Sequence, residues 1–120
     1  MALRNALRRL NTPVEKEDEQ RLRDFCADRA GVTPIGQVVA RTEATVVGEV
    51  TSLRIVPKAV GSPWLEVTIS DGNGRMVLMW TGRRQIAGVR PGRRLIASGR
   101  AAATGPGGRL LLLNPRYELL

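Results

Sequence analysis

The sequence predicts a mainly β fold, a small barrel of five strands preceded by a helical arm. Three observations point to it. Apolar, β-rich segments fill residues 44–120, glycine turns break them at short intervals, and one of them alternates apolar and polar residues with a period of two. With 120 residues, 42% of them hydrophobic, the chain has material for one modest core. The expected division is a helical arm and linker over residues 1–33 and a barrel over residues 34–120.

In the arm, Leu3, Leu7 and Leu10 share a helical stripe beside Arg4, Arg8 and Arg9, although roughly ten residues are short for an isolated helix in water. Thr12-Pro13-Val14-Glu15 is a firmer start signal. It supplies a capping residue, a proline for the first turn and the glutamate of a capping box, so a helix is expected from Pro13. Glu15, Glu17, Asp18 and Glu19 complement its positive end, Leu22, Phe25 and Cys26 form a narrow apolar edge for packing on the barrel, and Gly31 stops it. Cys26 reads as a small buried hydrophobe, because the chain has no histidine and offers no nearby base to activate a thiol.

After the linker Gly31-Val32-Thr33-Pro34, the pattern turns to β at Ile35, with an extended lead-in over residues 37–41. Residues 44–55 make a long first strand with Gly48 inside it, where a bend or bulge is cheap, and a long bent strand can serve both halves of a barrel. Residues 56–63 are a loop rich in proline and glycine. Trp64–Ser70 is the second strand, with Leu65, Val67 and Ile69 inward. Asp71-Gly72-Asn73-Gly74 is a tight hairpin loop, and residues 75–80 form the third strand. Pairing Ser70 with Arg75 sets Ile69 opposite Met76, Val67 opposite Leu78 and Leu65 opposite Trp80. Trp64, Glu66, Thr68, Arg75, Val77 and Met79 then face outward. Residues 81–89 have room for one helical turn, and Arg90-Pro91-Gly92-Arg93 is a turn. Residues 94–101 form the fourth strand, 102–108 a flexible tip and 109–114 the fifth strand, closed by Pro115 and the segment around Tyr117.

Charge is segregated along the chain. Residues 1–43 carry eight basic and seven acidic side chains, whereas residues 44–120 carry eleven and four, so nearly all of the formal +8 belongs to the β-rich part. Such a field attracts a phosphate backbone. Seventeen of the nineteen cations are arginine, which suits bidentate phosphate contacts, although a GC-rich genome produces the same preference.

The order of elements resembles the oligonucleotide-binding (OB) Greek-key barrel: five strands, a bent first one, a helical insert between the third and fourth, and loops after the first and fourth. More locally, Val47-Gly48-Glu49-Val50, residues 65–71 with Gly74, Val89-Arg90-Pro91-Gly92, Ser98-Gly99-Arg100 and Asn114-Pro115-Arg116-Tyr117-Glu118 resemble the wedge OB domain of the RecG DNA helicase and its stand-alone bacterial relatives. The resemblance implies a nucleic-acid partner, DNA before RNA, single-stranded or branched, with low sequence specificity. It does not extend to a motor, since the chain has no Gly-x-x-x-x-Gly-Lys-Ser/Thr loop.

An OB barrel carries its ligand across the outer face of strands two and three, between the loops after strands one and four. Here that nominates Arg54, Lys58, Trp64, Arg75, Arg100 and Arg109, with Arg83 and Arg84, beside Arg93 and Arg94, as either a continuing phosphate track or a solvated rim. Trp64 is either a stacking platform for a base or a cover for the barrel rim, and Trp80 belongs to the core. Val77 and Met79 are apolar for an outer face and raise the alternative of an adaptor that binds a protein there, or of a cover by the arm itself, whose acidic stretch would then mask the arginines.

Catalysis has little to stand on. Residues 44–120 hold only four acids, Glu49, Glu66, Asp71 and Glu118, and Asp71 is explained by its turn. No cofactor or metal is expected, because histidine is absent and the single cysteine cannot form a ligand set. No stretch is long and apolar enough to span a bilayer and no signal peptide is visible, so the expected location is the cytoplasm.

Overall fold

The structure, a computed structural model, describes residues 16–104 and 109–120. Residues 16–27 form helix α1, and six strands follow: β1 (Glu43–Val56), β2 (Trp64–Ser70), β3 (Arg75–Thr81), β4 (Arg94–Thr104), β5 (Arg109–Leu113) and β6 (Arg116–Leu119). The Leu3, Leu7, Leu10 stripe, the helix start at Pro13, and Glu15 lie outside the described residues.

The sheet closes on itself in the order β1-β2-β3-β5-β4, with β4 returning to β1. All pairings are antiparallel except β3 with β5. This is the topology of an OB barrel. Closure depends on the length of β1, whose first half pairs with β4 from Glu43 to Glu49 and whose second half pairs with β2 from Glu49 to Val56. The register break lies between Val50 and Ser52, not at Gly48. Gly48 answers a different need, close approach: a Cβ there would stand 3.0 Å from the Ser70 carbonyl oxygen and 3.2 Å from Ile69 Cβ.

The β2–β3 hairpin has the expected register throughout, Ser70 with Arg75 up to Leu65 with Trp80. Alternation buries Leu65, Val67 and Ile69 completely, and they join Val46, Val50, Leu78, Leu95 and Leu112 in one core. Trp80 is in this core, and Tyr117 stands edge-on to it at 5.7 Å.

Four expectations need correction. The lead-in is not extended at its start: Ile35–Gln37 is a 3-10 turn, because Pro34 opens it and the Gln37 amide bonds back to the Pro34 carbonyl at 2.9 Å. No helix forms between β3 and β4. Gly82, Gly88 and Gly92 take positive φ there, and only Ile86 and Val89 reach the core. β4 runs on to Thr104, past the expected end at residue 101. The tail is a sixth strand rather than a closing segment. Asn114, at φ 48, breaks what would be one strand into β5 and β6, and both halves pair with β4, with the register slipping by one residue between them. The break is anchored to the end of β3, where the Asn114 amide donates to the Met79 carbonyl at 2.6 Å and its side-chain oxygen accepts from the Thr81 amide at 2.9 Å.

Asp71 does more than shape its turn. It is 6% exposed, and one carboxylate oxygen accepts the Asn73 and Gly74 amides at 2.9 and 2.7 Å. The other accepts the Ile35 amide at 3.0 Å, which joins the hairpin to the lead-in across 36 residues.

Helix α1 lies against the outer face of β1 and β4. Leu22 and Cys26 bury against Val47, with Phe25, Val32 and Ile96 around them. Phe25 is held between the guanidinium groups of Arg29 and Arg94, at 4.6 and 4.4 Å from its ring centre. At the other end of the seam, Gly72 sits so close to the helix that a Cβ would meet Arg23 Cγ at 2.5 Å. Gly31, at φ +76, turns the chain after the helix has ended. Among the described residues no helix is long and apolar enough to cross a membrane.

Removing the Asp71 carboxylate strands three amides, so Asp71→Ala is expected to lower unfolding free energy by about 2–4 kcal/mol, with Asp71→Asn intermediate, in urea denaturation. Burial, and then the Asp71 charge, push the Cys26 thiol from 9.0 up to about 11. A thiol reagent at about pH 8 should therefore label the folded chain slowly and the denatured chain fast. Because the unfolded chain loses this proton first, the thiol's contribution to stability is whole below the unfolded value of 9.0 and is lost as pH climbs toward about 11.

Candidate nucleic-acid interface

With α1 on the β1–β4 side, the outer face of β2, β3 and β5 is the remaining broad sheet surface. A furrow runs along it, lined by Thr51, Ser52, Thr68, Arg75, Met76, Val77, Arg109 and Leu110. Thr51 of β1 faces this surface by alternation from buried Val50, and Ser52 joins it through the register break, which changes the parity of the strand. Thr51 is fixed by donating its hydroxyl to the Thr68 carbonyl at 3.2 Å. Arg75 is exposed, and its side chain forms no hydrogen bond or ion pair among the described residues. Arginines lining the same furrow as the hydroxyls of Ser52 and Thr68 suit a phosphate, which takes charge-assisted bonds from the first and neutral ones from the second, while the Thr51 hydroxyl proton is already given to Thr68.

The nominated residues divide into separate groups. Arg75 and Arg109 meet at the furrow. Arg54, Lys58 and Trp64 gather at the opposite end of β2, around the loop between β1 and β2. There Arg54 pairs with Glu66 at 3.0 Å, and Lys58 Nζ stands 4.1 Å from the centre of the Trp64 ring. One face of the candidate stacking platform thus already holds a cation. Arg83 and Arg84 are exposed just beyond Gly82, whose amide donates to the Pro63 carbonyl at 3.2 Å, so they leave the sheet beside Trp64. Arg100 stands apart: it is exposed on β4 opposite Glu43, whose carboxylate takes Arg116 at 2.8 Å.

Val77 is not the exposed apolar residue expected from its parity. It is 7% exposed, because Leu111 of β5 pairs with it on one side and Thr68 of β2 on the other. The apolar surface left on this face is half-buried Met79 and its pairing partner Leu113, which is 48% exposed. The described part of the arm does not cover it. The acids Asp18 and Glu19 pair within the helix, with Arg21 and Arg23. The hydroxyls of Thr51, Ser52 and Thr68 are the site residues that sequence reasoning missed. Thr68 was legible from its outward parity, and Thr51 follows by alternation from Val50, whereas Ser52 depends on a bulge that the sequence does not mark. Arg94, weighed as part of a phosphate track, is occupied by Glu49 at 3.3 Å and by Phe25.

No family model and no curated protein matches this chain. Among solved structures it is similar to RecG bound to a three-way DNA junction, with 17% identity and a TM-score of 0.58. The match covers 78% of this chain and 13% of that one, so the chain corresponds to a small part of the protein it matches. At this identity the likeness establishes a shared fold, that of a RecG-like OB barrel.

Proposed function

We propose that this chain is a non-catalytic nucleic-acid-binding protein of the cytoplasm that takes single-stranded or branched DNA, with little sequence preference, across the outer face of β2, β3 and β5. The observation that carries this is the furrow that Arg75 and Arg109 line together with Thr51, Ser52 and Thr68. Phosphates bind along the furrow, and Trp64 with Lys58 contacts a base or the next phosphate at the far end of β2. The similar RecG structure holds a DNA junction, which favours DNA over RNA as the first ligand to try. Arg54 contributes less than an unpaired arginine, since it is already paired with Glu66. Arg83 and Arg84 extend the charged border beside Trp64, and Arg100 lies off the main path.

Fluorescence anisotropy of a labelled single-stranded oligonucleotide, with duplex and forked competitors, tests this. Affinity should fall by about 0.7 log unit per log salt for each phosphate neutralised, and Arg75→Ala should flatten that slope by about 0.7. Trp64→Ala should cost about 1–3 kcal/mol if a base stacks there. Absence of binding at low salt would reject the proposal and turn attention to a protein partner at Met79 and Leu113.

A further inference from the structure

We infer that Glu19 of helix α1 ends the nucleic-acid track, setting how many nucleotides the barrel face covers and turning the strand away from the helix. The inference rests on the binding function proposed above. The furrow on the sheet face does not stop at Arg75. A second depression, at the seam between α1 and the β2–β3 hairpin, shares Thr51 and Arg75 with it and is lined by Glu19 as well. A strand that passes from the first depression into the second therefore leaves the one lined by Arg109 for one lined by Ser70 and the Glu19 carboxylate.

Glu19 is the acid on the lining of this second depression. Its side chain is 66% exposed, and its partner Arg23 stands 3.8 Å away. That arginine is itself engaged, donating to the Gly72 carbonyl at 3.2 Å and to the Gln20 side-chain oxygen at 3.1 Å. The bond to Gly72 ties α1 to the hairpin tip, and Glu19 and Arg75 line the same depression. A phosphate entering the seam comes within a Debye length, about 8–10 Å, of that negative charge. The attraction of Arg75 and the repulsion of Glu19 thus fall on consecutive stretches of one path, and the path ends between them.

The test is a length series of single-stranded oligo-dT from about 4 to 20 nucleotides, read by anisotropy at several salt concentrations. It compares the unsubstituted chain with Glu19→Gln, Glu19→Lys and Glu17→Lys. Glu17 is exposed on the same helix and lines neither depression, so its substitution supplies the same charge change elsewhere. For the unsubstituted chain, affinity should stop rising at a short length. Glu19→Lys should move that plateau out by one or more nucleotides, tighten binding by about 3- to 10-fold and steepen the salt slope by about 0.7 per added phosphate. Glu19→Gln should move it the same way by less, and Glu17→Lys should leave the plateau in place. An unmoved plateau in both Glu19 variants, with circular dichroism confirming the fold, overturns the inference while leaving the binding face intact. So does an equal shift in Glu17→Lys. Failure of the unsubstituted chain to bind any length is a different result, and it rejects the binding function and this inference together.

Discussion

The Asp71 carboxylate is the constraint from which the outer face is positioned. Its three amide bonds fold the hairpin and fasten it to the turn that carries Ile35, a residue of the barrel core. Gly74 then packs backbone against backbone, 3.3 Å from the Gly36 amide nitrogen when measured from where a Cβ would lie. From the other side, Arg23 reaches the Gly72 carbonyl. Held between core and helix, the loop fixes the next residue, Arg75. A surface arginine is ordinarily a floppy charge with a large rotamer entropy; here at least its backbone cannot wander.

Arginine number and available charge are different quantities in this barrel. Arg94 is committed to Glu49 and Phe25, Arg116 to Glu43 and Arg54 to Glu66. Each exposed pair stabilises the fold little, but each removes a cation from the pool that an anion can reach. On the β2–β3–β5 face, Arg75 has no hydrogen bond or ion pair among the described residues and shares a furrow with the hydroxyls of Ser52 and Thr68. Helix α1 covers Val47 and Ile96 on the opposite side, which leaves the β2–β3–β5 face as the broad sheet surface that the helix does not cover.

Much of this was readable from the residues. Trp64–Ser70 and its partner strand were legible, with register, because strict alternation and an Asp-Gly-Asn-Gly turn leave one pairing that buries Leu65, Val67 and Ile69. The two-sided role of β1 was legible from its length. What escaped notice depends on contacts distant in sequence. Nothing local to Ile35 shows that Asp71 will accept its amide, and nothing in Thr51 marks the bulge that brings the Ser52 hydroxyl to the furrow. Val77 alternates outward as expected, yet Leu111, paired with it from the last third of the chain, helps bury it. The grouping of Arg75 with Arg109, and the isolation of Arg100, likewise follow from the parallel β3–β5 pairing, which local patterning cannot disclose.

The broken strand at Asn114 bears on which sheet edges the barrel leaves open. A barrel that ended with β5 would leave the first half of β4 with an unpaired row of amides and carbonyls, a template onto which another molecule could add a strand. By bending at Asn114 and continuing as β6, the chain uses its own last residues to occupy that row, from Leu95 to Ser98. The new margin this creates is only four residues long and bears Arg116 and Glu118, the short and charged kind of border that discourages edge-to-edge aggregation.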